Sequence, residues 1–178
     1  MEKRRLAQII DHLLNKHHKY LRDVMPRIKK DLSSMKTLPL EGDLKKKVDS
    51  VGEILQDIGM DIDQHLMKEE NILFPTICDM EEAAASGAAG GSMGCGVQGP
   101  VNQMLYEHNT IKESLAHMEK DIQDISTLIR ETGHGEKDFV QGLIKNSLEM
   151  KADLLEHIRI EEEDLFPSAM SLESEMGE

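Results

Sequence analysis

Apolar residues recur at alternating steps of three and four along four segments of the chain. This spacing keeps side chains on one face of an α-helix. Every apolar stripe also contains a histidine at a position where a helix bundle would place an apolar side chain. In chain order the stripes run through Leu14, His18, Leu21, Met25, Ile28 and Leu32; Val51, Leu55, Ile58, Ile62, His65, Glu69 and Ile72; Met104, His108, Ile111, Leu115, Met118, Ile122, Ile125 and Ile129; and Val140, Leu143, Ser147, Met150, Leu154, His157 and Glu161.

Three interruptions separate these segments and predict where the helices end. Residues 35–43 contain Pro39 and Gly42, residues 81–100 are rich in glycine, and residues 132–135 contain two glycines. We therefore predict helices over about 3–34, 43–80, 101–132 and 136–170, with a flexible linker at 81–100. Short connections favour antiparallel neighbours. The predicted fold is an all-α, up-down-up-down antiparallel four-helix bundle that forms a single domain over residues 1–178.

An internal repeat links the second and fourth segments. The sequence HLMKEENILFP, which begins at His65, aligns without gaps on HIRIEEEDLFP, which begins at His157, and the two share six of eleven residues. His18 precedes the first copy by 47 residues and His108 precedes the second by 49. Each half of the chain therefore supplies one lone histidine and one His-x-x-x-Glu pair.

The repeat predicts a metal centre in the bundle core. Residues four apart on a helix point in the same direction, so His65 and Glu69 can present a nitrogen and an oxygen to one point, as can His157 and Glu161. Burying a carboxylate costs several kcal/mol unless something compensates it, and the stripes offer no Lys or Arg. Four imidazoles and two carboxylates suit first-row metals, and bundle cores of this kind recur in di-iron proteins. The ligand types alone do not decide whether the metal is iron, manganese or zinc.

The composition limits the possible fold classes, partners and cellular locations of the protein. The chain has no Trp, two Tyr and three Phe but 12 Met, which favours helices over sheets. A net charge of −13 argues against nucleic acid as a partner. No segment approaches the roughly 20 apolar residues that span a bilayer, and the start of the chain lacks a signal-peptide pattern. We expect a cytoplasmic protein without a membrane partner, in which Cys78 and Cys95 are free thiols.

Four sequence stretches resemble the hemerythrin-like proteins, and especially the di-iron family that repairs iron centres. They are HHKYLRDVMP, HLMKEENILFP, GPVNQMLYEHN and HIRIEEEDLFP, and the resemblance covers about residues 6–170. It implies two non-heme iron ions, oxo- or hydroxo-bridged, with O2 or NO as small ligands and iron-sulfur proteins as partners. By the same resemblance, the metal ligands are His18, His65, Glu69, His108, His157 and Glu161. Typical repair proteins carry a small Cys-containing domain ahead of the bundle, and we expect none in this chain.

The resemblance implies repair of, or iron supply to, iron-sulfur clusters under oxidative or nitrosative stress. Two alternatives stay open: a binding protein that senses or carries O2 or NO, and a di-iron oxidase or peroxidase. Oxygen-carrying hemerythrins have a fifth histidine where this chain has Lys112. They also place an aspartate five residues after the last histidine, whereas here Glu161 follows His157 at four and Glu162 at five. These differences disfavour a reversible oxygen carrier. The sequence assigns no catalytic residue.

Several acidic and histidine residues beside the repeat have less certain roles. His17 and His18 are adjacent, so either could face the core, and the repeat alignment favours His18. Glu70 and Glu162 lie about 140° around the helix from their histidines, which predicts solvated carboxylates or carboxylates that support the ligands. Glu107 precedes His108 and is expected at the surface, with an access path to the core as the alternative.

Overall fold

The computed structural model describes residues 5–35, 37, 40–87, 96–132 and 137–177. These residues form four long helices and contain no strand. The first helix joins Leu6–His12, a π-helical turn at Leu13–His18, and Lys19–Met35. The second joins Gly42–Lys68, a π-helical turn at Glu69–Leu73, and Phe74–Ser86. The third is Gln98–Thr132, and the fourth joins Lys137–Ile160, a π-helical turn at Glu161–Leu165, and Phe166–Met176.

Two apolar clusters show that neighbouring helices run in opposite directions. In the first and third helices, the cluster at one end of the bundle comes first along the chain and the larger cluster follows; in the second and fourth helices this order is reversed. The second helix packs mainly on the third and the first mainly on the fourth. The predicted up-down-up-down antiparallel bundle is therefore confirmed. Among the described residues no helix is long and apolar enough to cross a membrane.

The π-helical turns correct two positions of the predicted apolar stripes. Ile72 is 57% exposed, and Leu73 takes the buried position; Leu14 is half-buried, and Leu13 is fully buried instead. Each π-helical turn inserts one extra residue between the histidine level and the apolar end cluster, which shifts the buried face by one position. In the second helix the turn contains a hydrogen bond from the backbone N–H of Phe74 to the carbonyl oxygen of Glu69. Pro75 and Pro167 come just after the π-helical turns of the second and fourth helices. Because proline has no backbone N–H, it donates no hydrogen bond to the preceding turn.

The helix ends differ from the predicted ones at the glycine-rich linker. The second helix continues beyond residue 80 to Ser86, because Ala83, Ala84 and Ala85 are strong helix formers. It ends at Gly87, whose φ of 65° lies in the left-handed region that glycine tolerates best. The third helix begins at Gln98 rather than at 101. Residues 88–95 of the predicted linker, including Cys95, lie outside the described residues; Cys78 is a half-buried free thiol.

Two glutamates, one from each half, accept hydrogen bonds from backbone N–H groups where the first and third helices begin. Glu81 accepts from Leu6 at 2.8 Å and from Ala7 at 3.1 Å. Glu173 accepts from Val97 at 3.0 Å. Gly96 leaves room for this contact, because a Cβ atom there would lie only 1.8 Å from Oε1 of Glu173. Backbone donors at a helix start need such partners, so these bonds fix the helix ends nearest the histidine level.

Candidate metal centre

All six predicted ligand residues meet at one level of the bundle, between the two apolar clusters. His18 comes from the first helix, His65 and Glu69 from the second, His108 from the third, and His157 and Glu161 from the fourth. Each is at most 1% exposed. The structure therefore brings together the whole predicted set, in a layer that is closed by apolar side chains on both sides.

The six residues form two groups that share both glutamates. One group contains His18 and His157, and the other contains His65 and His108; in each, one ligand atom per residue lies within 4.8 Å of all the others. The Nε2 atoms of His18 and His157 are 3.1 Å apart, as are those of His65 and His108. Two ligand atoms about 2.1 Å from one ion and about 90° apart would be separated by about 3 Å. The spacing fits two adjacent metal ions.

Each of the two carboxylates lies close to two histidine nitrogens. Glu69 approaches Nε2 of His65 at 3.0 Å and Nε2 of His18 at 3.4 Å. Glu161 approaches Nε2 of His108 at 3.2 Å and Nε2 of His157 at 3.4 Å. Yet none of the four carboxylate oxygens has a partner with hydrogen-bond geometry among the described residues. Such buried, unsatisfied oxygens are costly unless a cation binds them.

The pKa values show that the histidines compensate the buried carboxylate charge unequally. Despite its burial, the pKa of Glu161 lies well below its usual value, because His157 and His108 stabilise its charged form. Burial, reinforced by the charge of Glu161, raises the pKa of Glu69 to about 7. Burial also disfavours the charged form of His65, but the Glu69 carboxylate outweighs it and raises the pKa of His65 to about 9. Burial and the neighbouring His157 lower the pKa of His18 to about 4. At neutral pH, His65 and, in part, Glu69 therefore retain protons that a cation between the two carboxylates would replace. The donor set thus fits a metal.

Three further carboxylates contact the Nδ1 atoms of three of the predicted ligand histidines. Nδ1 of His18 lies 2.8 Å from Glu70, Nδ1 of His65 lies 3.0 Å from Glu107, and Nδ1 of His108 lies 3.0 Å from Glu162. Each of these carboxylates also forms an ion pair, with Arg22, Lys68 and Lys112 respectively. Metal-binding histidines commonly donate their second ring N–H to a carboxylate in this way, which fixes the ring and leaves Nε2 free for the ion.

The family comparison agrees with this geometry. Residues 9–169 match the family described as "Hemerythrin HHE cation binding domain". The chain belongs to this family. The predicted resemblance is thereby confirmed, and the His-Glu cluster is the part of this hemerythrin HHE domain that can hold a metal.

Curated relatives share a more specific description. The chain is 29% identical over 166 residues to the iron-sulfur cluster repair protein YtfE of Citrobacter koseri, an alignment that covers 93% of this chain and 67% of the relative. YtfE proteins of Escherichia coli O1:K1 and of Escherichia fergusonii match with the same identity and coverage. The aligned part spans nearly all of this HHE domain.

The repeated phenylalanines pack on the lone histidines of the centre. Phe74 lies 5.6 Å from His18 between ring centroids, and Phe166 stacks on His108 at 5.8 Å with an interplanar angle of 11°. Both phenylalanines are almost fully buried. In this HHE domain the packing restricts the rings of His18 and His108, the two histidines that do not belong to a His-x-x-x-Glu pair.

His17 is the neighbouring histidine that could also have faced the core. It is fully buried like His18, but its Nδ1 lies 3.0 Å from Oδ1 of Asp153 rather than in the cluster. Its ring lies 6.0 Å from that of His157, and its Nε2 has no hydrogen-bond partner among the described residues. The repeat alignment could favour His18, but nothing in the sequence indicated the contact with Asp153.

Glu107 is not the ordinary surface residue that the sequence suggested. One of its oxygens contacts His65, and the residue also lines a surface cleft of about 230 Å³ with Asp61, Gln64, Lys68, Tyr106, Thr110 and Ile111. Ion pairing and hydrogen bonds from Lys68, Gln103 and His65 outweigh burial and lower the pKa of Glu107 to about 2. The cleft therefore reaches a charged group that contacts His65, one of the predicted metal ligands.

Proposed function

We propose that this protein holds two iron ions in the His-Glu cluster and helps to repair iron-sulfur clusters, or to supply them with iron, under oxidative or nitrosative stress. The observation that carries the proposal is the convergence of four histidine Nε2 atoms and four unsatisfied carboxylate oxygens at one buried level of the bundle. The repair role is supported by the similarity to YtfE proteins of several enterobacteria, whose description names this activity.

Each ion in this proposal has two histidines of its own and shares two carboxylates. His18 and His157 would hold one ion, His65 and His108 the other, and Glu69 and Glu161 would bridge them. A carboxylate between two cations lowers their mutual repulsion and offers one oxygen to each. Iron with a free coordination position supplies redox chemistry and binding of small ligands such as O2 and NO.

The surrounding residues orient the centre and limit its access to water. Glu70, Glu107 and Glu162 hold three of the histidines through Nδ1, so Nε2 stays directed at the centre. The apolar clusters on both sides lower the local polarity, which strengthens the attraction between carboxylates and cations.

A cytoplasmic location, with iron-sulfur proteins as partners, is part of the proposal.

Lys112 supports this function over reversible oxygen carriage. Its Nζ lies 2.8 and 2.7 Å from the two oxygens of Glu162, so the side chain is engaged beside His108 rather than directed at the cluster. In oxygen-carrying hemerythrins the corresponding position supplies a fifth histidine. The centre proposed here has one imidazole fewer and correspondingly more room for small ligands on the iron.

Iron transfer to a damaged iron-sulfur enzyme tests the proposal. The protein would be loaded anaerobically with Fe(II), mixed with an enzyme whose cluster has been damaged by NO or peroxide, and the recovery of that enzyme's activity followed. We expect recovery that exceeds the same amount of free Fe(II). The Glu161→Leu variant should give none, while the exposed Glu113→Gln variant should act as the unaltered protein does.

The same experiment separates the alternatives. NO binding without any recovery of the damaged enzyme would favour a sensing or carrying protein. Repeated consumption of O2 or peroxide in the presence of a reductant, again without recovery, would favour an oxidase or peroxidase. Either result would overturn the repair function while leaving the metal centre in place.

A further inference from the structure

The two halves of the chain support their ligand histidines differently. Three of the four histidines have a carboxylate on Nδ1, and each of these carboxylates has a cationic partner of its own. His157 is the exception, because its Nδ1 has no hydrogen-bond partner among the described residues. The two proposed metal positions therefore differ beyond their nearest ligands.

The difference lies in the residue that directly precedes each lone histidine. Glu107, which directly precedes His108, lies behind His65. The equivalent residue, which directly precedes His18, is His17, and its ring is near His157 with centroids 6.0 Å apart. His17 in turn contacts Asp153 at 3.0 Å. Where the second and third helices provide a carboxylate, the first and fourth provide an imidazole with a carboxylate one step farther away.

We propose that the two metal positions are unequal, and that the ion held by His18 and His157 is the exchangeable one, because the His17–Asp153 pair stands where the other position has Glu107. This inference rests on the proposed two-ion centre and identifies which Fe(II) leaves it first. His17 and Asp153 are positioning residues, since they act through His157 and contribute no atom to the cluster.

A carboxylate on Nδ1 strengthens a histidine as a metal ligand in two ways. It fixes the ring orientation, and its negative charge makes Nε2 a better electron donor. His17 carries no negative charge at physiological pH, and the Asp153 carboxylate contacts His17 rather than Nδ1 of His157. Loss of such a supporting partner typically weakens metal binding by about 10- to 100-fold. The position of His157 should be the weaker one by a factor in this range.

The shared glutamates allow one ion to leave without loss of the other. After departure of the ion at His18 and His157, the remaining ion would still have His65, His108, Glu69 and Glu161 as ligands. Both remaining histidines have carboxylates behind them, in Glu107 and Glu162. A state with one tightly held ion is therefore stable and can accept a new Fe(II).

Chelation kinetics test the inequality. The protein loaded anaerobically with Fe(II) would be mixed with an excess of a coloured Fe(II) chelator, and release followed by absorbance. We expect two phases of one ion each, separated by about tenfold or more. The His17→Glu/Asp153→Asn variant gives His157 a carboxylate without placing two acids together, and it should slow the fast phase alone. Glu107→Gln should speed the slow phase alone, and His117→Gln, an exposed control, should alter neither.

Mössbauer spectra distinguish an effect on one ion from a general loosening of the fold. Protein depleted of the fast ion would be reloaded with ⁵⁷Fe, and the His17→Glu/Asp153→Asn variant should change the doublet of this ion. Two ions that leave at one rate, or a fast phase that responds to Glu107→Gln instead, would overturn the inequality. A protein that binds fewer than two ions would overturn the proposed centre itself. Because Glu107→Gln keeps a side chain of the same size, it tests the assignment even if the double variant fails to fold.

Discussion

Nε2 of His18 faces Nε2 of His157 at 3.1 Å, across the interface of the first and fourth helices. Only one proton can lie between two such nitrogens, and both also approach the Glu69 carboxylate, at 3.4 and 3.9 Å. The contact is accordingly better suited to a shared cation than to a hydrogen bond.

Replacement of His18 by Ala should therefore abolish binding of one iron ion, whereas His17→Ala should retain two ions at saturating Fe(II). The reason is that His18 directs Nε2 into the cluster, while His17 contacts Asp153. Iron analysis after gel filtration measures the difference. Loss of an ion in His17→Ala and its retention in His18→Ala would show that the two roles are reversed.

The His-x-x-x-Glu repeat could be recognised from the sequence because helical geometry alone places residues four apart on one face. The contacts of Glu107 with His65 and of His17 with Asp153 join different helices, and their formation depends on how the helices are aligned, which no spacing within one segment reveals. The exposure of Ile72 could not be predicted either, because a π-helical turn shifts the buried face and its only sequence signal is the following Pro75.

The prediction that residues 1–178 form a single domain stays a prediction.

Glu69→Leu should stabilise the metal-free protein while removing its ability to hold two ions. The carboxylate of Glu69 is fully buried and its pKa is raised to about 7, so the free fold bears its desolvation cost. Both oxygens of Glu69 lack a hydrogen-bond partner among the described residues, so its removal relieves a cost of about 1–3 kcal/mol. His65, which lies 3.0 Å away, loses an attraction but can release its proton and become neutral. Urea unfolding of both proteins after chelator treatment measures the change. A clearly less stable metal-free variant would show that Glu69 has a structural partner besides the metal.

Metal removal should lower the melting temperature of the unaltered protein. An ion that binds only the folded chain stabilises it by about 2.7 kcal/mol when its free concentration is 100 times the dissociation constant. Calorimetry with and without a chelator gives the shift, and in Glu161→Leu, which lacks a bridging carboxylate, the chelator should have little effect. Identical melting temperatures for the loaded and stripped unaltered protein would argue against ligands in the core.

Glu81→Ala should destabilise the fold without changing the number of bound ions. Glu81 accepts hydrogen bonds from Leu6 and Ala7 at the start of the first helix, and loss of a partner for such donors costs about 1 kcal/mol. Chemical unfolding measures this cost, with the exposed neighbour Glu82→Ala as the matched control. An equal loss of stability in both variants would show that the bonds to the helix start contribute nothing specific.

The central claim is a pair of iron ions bridged by Glu69 and Glu161, and iron content determined together with Mössbauer spectroscopy of the ⁵⁷Fe-loaded protein tests it most directly. The account predicts close to two ions per chain with the magnetic coupling of a bridged pair, and loss of that coupling in both Glu69→Ala and Glu161→Ala, while Glu113→Ala retains it. A reproducible value near one ion, or two ions without coupling in the unaltered protein, would contradict it.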